Sequence, residues 1–463
     1  MLDRKLLRDL AGLKGQAIAI AMVIVSGVAT FVMSVSTLDS LRRTQETYYR
    51  DYRFADVFAS LKRAPEALRS RILEIPGVDA VETRVVAAAS LDLPDFPDPV
   101  RALLVSVPEE GIPLLNRVFL RKGRMVDPRR DDEVMVSEPF AEAHRFAPGD
   151  TFAAVINGKR KGLTIVGIGL SPEHIYQIGP GALFPDYKRY GVLWMARAPL
   201  AAANNMEGAF NDVALTLSPG ASLPDAIGRL DALLAPHGGL GAYGRMDQVS
   251  HRYLSEEFRQ LGTLAAIFPA IFLGVAAFLL NVVLDRLVGT QREQIAVLKA
   301  FGYANRDVGL HYAKFVVLIA LAGTAGGVAA GIWLGKGLGG IYMDFYRFPF
   351  LDYVLRPEKA AVACLVSVAA ALFGALQAVR RAALLPPAEA MRPEPPERYR
   401  ETAIERLGLK RLLSQPGRMI ARHIGRRPVK SLLSTAGIAL ACAILLIGRF
   451  QEGAIDFLVD VEF

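Results

Sequence analysis

Four stretches of this chain are each about 20 residues long and nearly free of charge, and no other feature limits its folding so tightly. They cover residues 16–38, 261–284, 315–338 and 360–379, and a fifth, at 432–447, is slightly shorter. Crossing the hydrocarbon core of a bilayer takes about 20 predominantly apolar residues in a helix. Core helices of soluble proteins usually carry a polar face instead. Lys336 lies near the end of its run, where its ammonium can snorkel to the interface. Each run is therefore expected to be a transmembrane helix. The first is preceded by Arg4, Lys5, Arg8 and Lys14, as in a signal peptide. Its apolar run is longer than the usual ~7–15 residues and no A-x-A site follows, so it reads as a retained anchor.

The charges orient these helices. The chain has 463 residues, 52% of them hydrophobic, a mean hydropathy of +0.29 and a formal net charge of +8. Beyond the basic N-terminus, Arg286, Arg292, Lys299, Arg306 and Lys314 lie between the second and third runs. From Arg380 to Lys430 thirteen basic residues face five acidic ones, a surplus equal to the net charge of the whole chain. Asp344, Arg347, Asp352 and Arg356, between the third and fourth runs, cancel. Under strict alternation all three basic segments share one side, which the positive-inside rule makes the cytoplasm. The N-terminus, Arg292 and Arg400 are then cytoplasmic and Gly158 is outside. The basic balance is a topology signal, and no nucleic-acid partner is needed to explain it.

The expected fold class is a polytopic α-helical membrane protein with a large mixed α+β extracytoplasmic domain between the first and second transmembrane helices. Residues 1–15 form a cytoplasmic amphipathic segment, 16–38 the first span, 39–260 the outer domain and 261–284 the second span. A cytoplasmic loop follows at 285–314, then the third span (315–338), a short outer loop (339–359) and the fourth span (360–379). A basic cytoplasmic linker (380–431) leads to a fifth span (432–447) and an outer end (448–463). Within the outer domain 65–75 reads as a helix, stopped by Pro76-Gly77, and 78–88 as a strand. Residues 153–156 and 163–168 read as a hairpin around Asn157-Gly158, a pair suited to a type I′ turn. Residues 212–217 and 224–234 read as a strand and a helix.

Chemistry-bearing motifs are scarce. Cys364 and Cys442 both lie in apolar runs, so no disulfide framework exists, and Cys/His zinc sites are excluded on count. His144, His174, His237 and His251 are scattered. The sequence has no H-E-x-x-H, G-x-S-x-G or GxxxxGK[ST], so an enzyme reading has no residues to rest on and no cofactor is expected in the chain. Gly323, Gly327, Gly331, Gly335 and Gly339 recur every fourth residue in the third run, a spacing that leaves a groove for close helix packing. Arg8-Asp9-Leu10 and Lys14 before the first run have a faint echo in Arg422-His423-Ile424, Arg426-Arg427 and Lys430 before the fifth. The echo suggests a duplicated scaffold whose second half is cut short, hence a chain that is a fragment or truncated product.

The loop after the second run reads Gln291-Arg292-Glu293-Gln294-Ile295-Ala296-Val297-Leu298-Lys299-Ala300-Phe301-Gly302-Tyr303. It resembles the cytoplasmic motif of FtsX-like ABC transporter permeases of the MacB/LolC type, roughly R-x-x-E-I-x-x-L-R-A-x-G. Gln294 stands where the acid is usual, with Glu293 beside it, and Lys299 stands for the usual arginine. Pro387-Ala388-Glu389-Ala390-Met391-Arg392 is similar to the family's P-x-x-A-L-R segment. In the outer domain Gly123-Arg124, Glu133–Ser137, Gly149-Asp150 and Ile165-Val166-Gly167 follow in the order of a MacB-type domain.

This resemblance implies a bacterial inner-membrane permease whose ATP and Mg are bound by a separate ABC ATPase. Lipid, lipoprotein, peptide or amphiphile is the substrate, exported or extracted through the outer domain by transmitted force. A second permease copy and a periplasmic adaptor are among the partners such systems use. The alternative is an FtsX-like signalling subunit that regulates an outer partner such as a cell-wall hydrolase. Arg292–Phe301 is then expected to be a helix that docks on the ATPase. Ile295, Leu298 and Phe301 form its apolar edge, Arg292, Glu293, Gln294 and Lys299 lie around it, Gly302 ends it and Asn305 caps the next helix.

Overall fold

The computed structural model describes residues 2–93, 96–109, 111–182, 184–391 and 428–462. Arg392, Arg400, most of the basic linker and the second copy of the echoed segment at 422–427 lie outside the described residues. In chain order, α1 (Leu2–Gly12) and α2 (Lys14–Asp51) precede β1 (Val57–Pro65), α3 (Leu68–Leu73), β2 (Val78–Arg84), β3 (Val86–Leu93) and β4 (Phe96–Val107). Then come β5 (Phe119–Gly123), β6 (Glu133–Ser137), α4 (Glu138–His144), β7 (Thr151–Ile156), β8 (Lys159–Leu170), β9 (Tyr190–Ala196) and α5 (Arg197–Ala203). After β10 (Ala209–Leu217), α6 (Leu223–Leu234) and β11 (Gly239–Gly244) the chain is helical: α7 (Val249–Thr290), α8 (Arg292–Ala300), α9 (Asn305–Tyr346), α10 (Pro357–Leu384), α11 (Pro387–Ala390) and α12 (Pro428–Glu462).

The chain divides into two compact units, one of Met1–Met33, Leu264–Trp333 and Arg356–Phe463, the other of Ser34–Thr263 and Leu334–Leu355. In the first, α2, α7, α9 and α10 supply four helices long and apolar enough to cross a membrane. Three of them run well past the apolar stretches, since α2 reaches Asp51, α7 begins at Val249 and α9 ends at Tyr346. Hydropathy marks only the apolar part of a helix, whereas the hydrogen-bond ladder continues through polar residues. Likewise α12 continues past residue 447 to Glu462.

Small residues set the packing here. An added Cβ would lie 2.8 Å from Ile24 Cβ at Gly323, 2.5 Å from Val28 Cβ at Gly327 and 2.6 Å from Val32 Cβ at Gly331. Helix α10 buries Ala363, Ser367, Ala371, Ala375, Ala378 and Ala382 at helical spacing. A Cβ at Gly374 would meet the Ala277 carbonyl, and Asn281 Nδ2 donates to the Gly374 carbonyl at 2.9 Å. Close backbone approach of this kind is how helices associate where lipid removes the hydrophobic drive between them.

The second unit is the mixed α/β domain. A four-stranded sheet has the order β11-β1-β10-β2, and its core of Val57, Ile72, Phe210, Val213 and Leu230 takes residues from α3 and α6. A seven-stranded sheet has the order β5-β8-β6-β9-β4-β3-β7 and closes on itself, because β7 also pairs with β8. Leu104, Val136, Phe140, Phe152, Leu193 and Leu200 fill it. The β7–β8 hairpin has the two-residue turn expected of Asn157-Gly158, with φ of 46° and 78°. The segment 78–88 is not one strand. Val85 separates β2 from β3 and the chain passes there from one sheet to the other. The helix read at 65–75 is shorter, because Pro65 completes β1. The outer segments that carry the family likeness converge: Arg124 N–H donates to the Val166 carbonyl at 2.9 Å, and its guanidinium grips Glu133. Gly335 and Gly339 lie in this unit, against Tyr353 with Ser36 and against Leu351.

Candidate coupling site and outer-domain cleft

Helix α8 is short, so its ends decide whether it forms. Its C-terminus is a complete Schellman motif. Gly302 has a φ of 91°, its N–H donates to the Lys299 carbonyl at 3.0 Å, and Tyr303 N–H donates to Leu298 at 3.2 Å. Helix α9 then starts after Ala304, whose N–H donates to Asp307 Oδ2 at 3.0 Å. Asn305 is thus the first helical residue, and Asp307 does the capping that the sequence suggested for Asn305.

The apolar residues of α8 part company. Ile295 is 1% exposed and Ala296 is fully buried, whereas Phe301 is 81% exposed. Val297 is exposed with Phe301, and Leu298 is half-buried between the two sets. Glu293 and Gln294 are exposed, and Arg292 is half-buried and engaged. Lys299 is not a free charge: its Nζ donates to the carbonyls of Ala383 at 2.8 Å and Leu385 at 2.7 Å. These carbonyls end α10, where a cation also complements the helix dipole. Burial pushes the Lys299 pKa down. Helix α11, which carries the Pro387-Ala388-Glu389-Ala390 segment, packs against α8. The two stretches that carry the family likeness, one before α9 and one after α10, thus lie side by side, which spacing along the chain could not reveal.

The outer domain holds an unforeseen ionic centre. Arg84, on β2, has its side chain only 7% exposed and grips Glu173 through Nη1 at 2.5 Å and Asp212 through Nε at 2.8 Å. Asn116 Nδ2 adds a bond to Glu173 Oε2 at 2.9 Å. Burial works against ionised Glu173, but the Arg84 guanidinium more than offsets this and holds its carboxyl below the ordinary value. Nearby, a cleft of about 870 Å³ is lined by Glu66, Arg69, Glu82, Thr83, Ile112, Arg117, Arg197 and Met206, among others. Arg197 is committed to Glu66 and the Thr83 carbonyl, and Glu82 Oε2 accepts from Leu114 N–H at 2.7 Å. Burial raises the Glu82 pKa.

Comparison with known proteins agrees with the motif at 291–303. The family described as FtsX-like permease C-terminal matches residues 266–387. No curated protein matches the chain. Among solved structures, the periplasmic region of MacB from Actinobacillus actinomycetemcomitans is similar at 10% identity, covering 46% of this chain and 95% of that one with a TM-score of 0.28. The extracellular domain of the noncanonic ABC-type transporter YknZ from Gram-positive bacteria shares 10% identity over 41% of this chain and 98% of its own, with a TM-score of 0.27. A domain of a putative permease protein from Porphyromonas gingivalis shares 15% identity over 42% of this chain and 90% of its own, with a TM-score of 0.26. The family match spans α8, α9 and α10 and most of α7, so this part of the chain is similar to an FtsX-like permease domain, and with its four long apolar helices the chain is a multi-pass membrane protein.

Proposed function

We propose that this permease couples ATP hydrolysis by a separate ABC ATPase to the export or extraction of a lipid, lipoprotein, peptide or amphiphile through its outer domain. It sits in the bacterial inner membrane with its N-terminus in the cytoplasm. The observation that carries this reading is the division of labour on α8. Ile295, the Schellman stop and the Lys299 bonds to α10 hold the helix rigidly, while Val297 and Phe301 are left uncovered. An exposed aromatic on a rigid helix is the kind of anchor that a partner's pocket takes. Helix α8 follows α7 with only Gln291 between them, so a load on α8 is passed directly to a helix of 42 residues.

The test is Leu298→Asp in the full chain with its co-purifying ATPase. Permease-stimulated ATP hydrolysis should be lost while membrane insertion and the outer domain's fold persist. Normal ATPase binding and stimulation would leave α8 as a membrane-surface helix instead. Capture of a cell-wall hydrolase by the outer domain, with no substrate moved, would select the signalling alternative.

A further inference from the structure

Helix α1 meets the joint between α7 and α8 through a knot of buried polar side chains that ATPase docking leaves unused. Lys5 Nζ donates to Asp9 Oδ2 at 2.5 Å and to Gln291 Oε1 at 2.8 Å. Gln291 Nε2 donates to Asp9 Oδ1 at 2.9 Å, and Tyr312 OH donates to Gln291 Oε1 at 2.9 Å. His311 Nε2 stands 3.4 Å from Asp9 Oδ2. The side chains of Lys5 and Asp9 are 11% and 8% exposed, so the pair is largely shielded from water.

The chemistry of this knot is specific. An amide is the one neutral group that can accept from an ammonium and a phenol on its oxygen while it donates to a carboxylate from its nitrogen. Gln291 does all three, and it is the single residue between α7 and α8. Ion pairs withdrawn from water contribute little net stability against an apolar alternative, yet losing one partner strands the other. A geometry enforced in this way suits a joint that must keep its angle. Leu6, next to Lys5 on α1, is buried as well, so α1 has apolar burial beside the polar contact.

We propose that Lys5, Asp9, Gln291 and Tyr312 form a latch that fastens the N-terminal helix to the α7–α8 joint, which makes Asp9 and Gln291 positioning residues for the coupling helix. The functional half of this proposal rests on the reading of α8 as the ATPase-docking element. With the latch closed, α1 and α8 move as one body. With it open, the ATPase still docks on α8, but its stroke is lost in bending the joint.

The experiment is a polarity swap in the full chain, reconstituted in nanodiscs with its co-purifying ATPase. Gln291→Glu sets two carboxylates face to face, and Asp9→Asn removes the charge that Lys5 needs. The double variant moves the carboxylate from position 9 to position 291 and lets the new Asn amide donate to it, so charge and hydrogen bonds are kept. Each single variant should lower the maximal stimulated ATPase rate about tenfold at an unchanged half-saturating ATPase concentration, and the double should recover to within about twofold. A second readout needs no ATPase. With Cys364 and Cys442 replaced by Ser, spin labels at Arg8→Cys and Glu293→Cys should give a narrow distance distribution in the parent and the double variant and a broad one in Gln291→Glu. A narrow distribution in Gln291→Glu would overturn the latch. Broad distributions with normal stimulation per inserted molecule would overturn the positioning role, as would a double variant that fails to recover. If Leu298→Asp leaves stimulation intact while the labels behave as described, the coupling reading fails and the latch stands.

Discussion

Lys299 reaches from α8 to the last turn of α10, where its Nζ lies 2.8 Å from the carbonyl oxygen of Ala383. Lys299→Met keeps the length of the side chain and removes the donor. Two carbonyls at a helix end are then left without their partner, which costs about 1–3 kcal/mol where water cannot replace it. The melting temperature of the purified permease should fall, and Lys299→Arg should recover part of the loss. An unchanged melting curve for Lys299→Met would mean that water replaces the ammonium.

Ile295 and Phe301 share a helix but should fail differently. Ile295→Ala empties a buried site and is expected to destabilise the fold by about 2–5 kcal/mol. Phe301→Ala alters an uncovered side chain and should change stability by less than about 0.5 kcal/mol. ATPase stimulation at a temperature where both variants are folded should show the reverse order, with Phe301→Ala the more damaged.

Gly327 and Gly337 give a matched pair within α9. A Cβ at Gly327 would stand 2.5 Å from Val28 Cβ, whereas nothing lies within 4 Å of one at Gly337. Gly327→Ala should therefore cost about 1–3 kcal/mol through overpacking. Gly337→Ala should be neutral or slightly stabilising, because alanine is the better helix former. Thermal unfolding in one detergent would rank them, and equal melting temperatures would show that α2 can retreat from the glycine face.

The pH profile of stability follows from His251 and His174. Burial, with help from Arg245, pushes His251 down to about 4, and burial lowers His174 as well. Both are therefore neutral when folded at a pH where the unfolded chain, near ~6.5, already takes up protons. Their contribution is complete above ~6.5 and is lost progressively as the pH falls toward the folded values. Melting temperature should decline across that window, and His251→Gln should flatten the decline. A slope unaffected by this change would assign the effect to other groups.

Orientation can be read with an impermeant thiol reagent. In cells with a permeabilised outer membrane and no native cysteines, Gly158→Cys should label readily and Arg292→Cys should not. The opposite pattern would reverse the whole topology.

The architecture was legible where the signal is local. A long charge-free run or an Asn157-Gly158 turn states its own geometry within a few residues. Partnerships between distant segments were not. Arg84, Glu173 and Asp212 are ordinary surface residue types; the pairing of β2 with β10 sets Arg84 beside Asp212, and Glu173 arrives from the turn after β8. Lys299 read as one charge on a helix face, because its partners are backbone carbonyls more than 80 residues away that no side-chain pattern announces. The i, i+3, i+6 rule placed Ile295, Leu298 and Phe301 on one edge, yet the edge curves out of the protein along its length. Periodicity gives a direction around a helix and not the depth at which each turn lies.

The four-stranded sheet is assembled from both ends of the outer domain, β1 and β2 from its start and β10 and β11 from its close, while every strand of the seven-stranded sheet falls between Val86 and Ala196. The closed sheet is thus a cassette inserted at Val85 and returned by Arg197, and the sheet that receives it joins the entering and leaving chain directly through the β1–β10 and β1–β11 pairs. Val57 and Gly244 face each other at one end of the antiparallel β1–β11 pair, so tension between the two chain ends would unzip that ladder from this end, the cassette staying off the load path. A cassette that carries no load can be exchanged for another without rebuilding the frame.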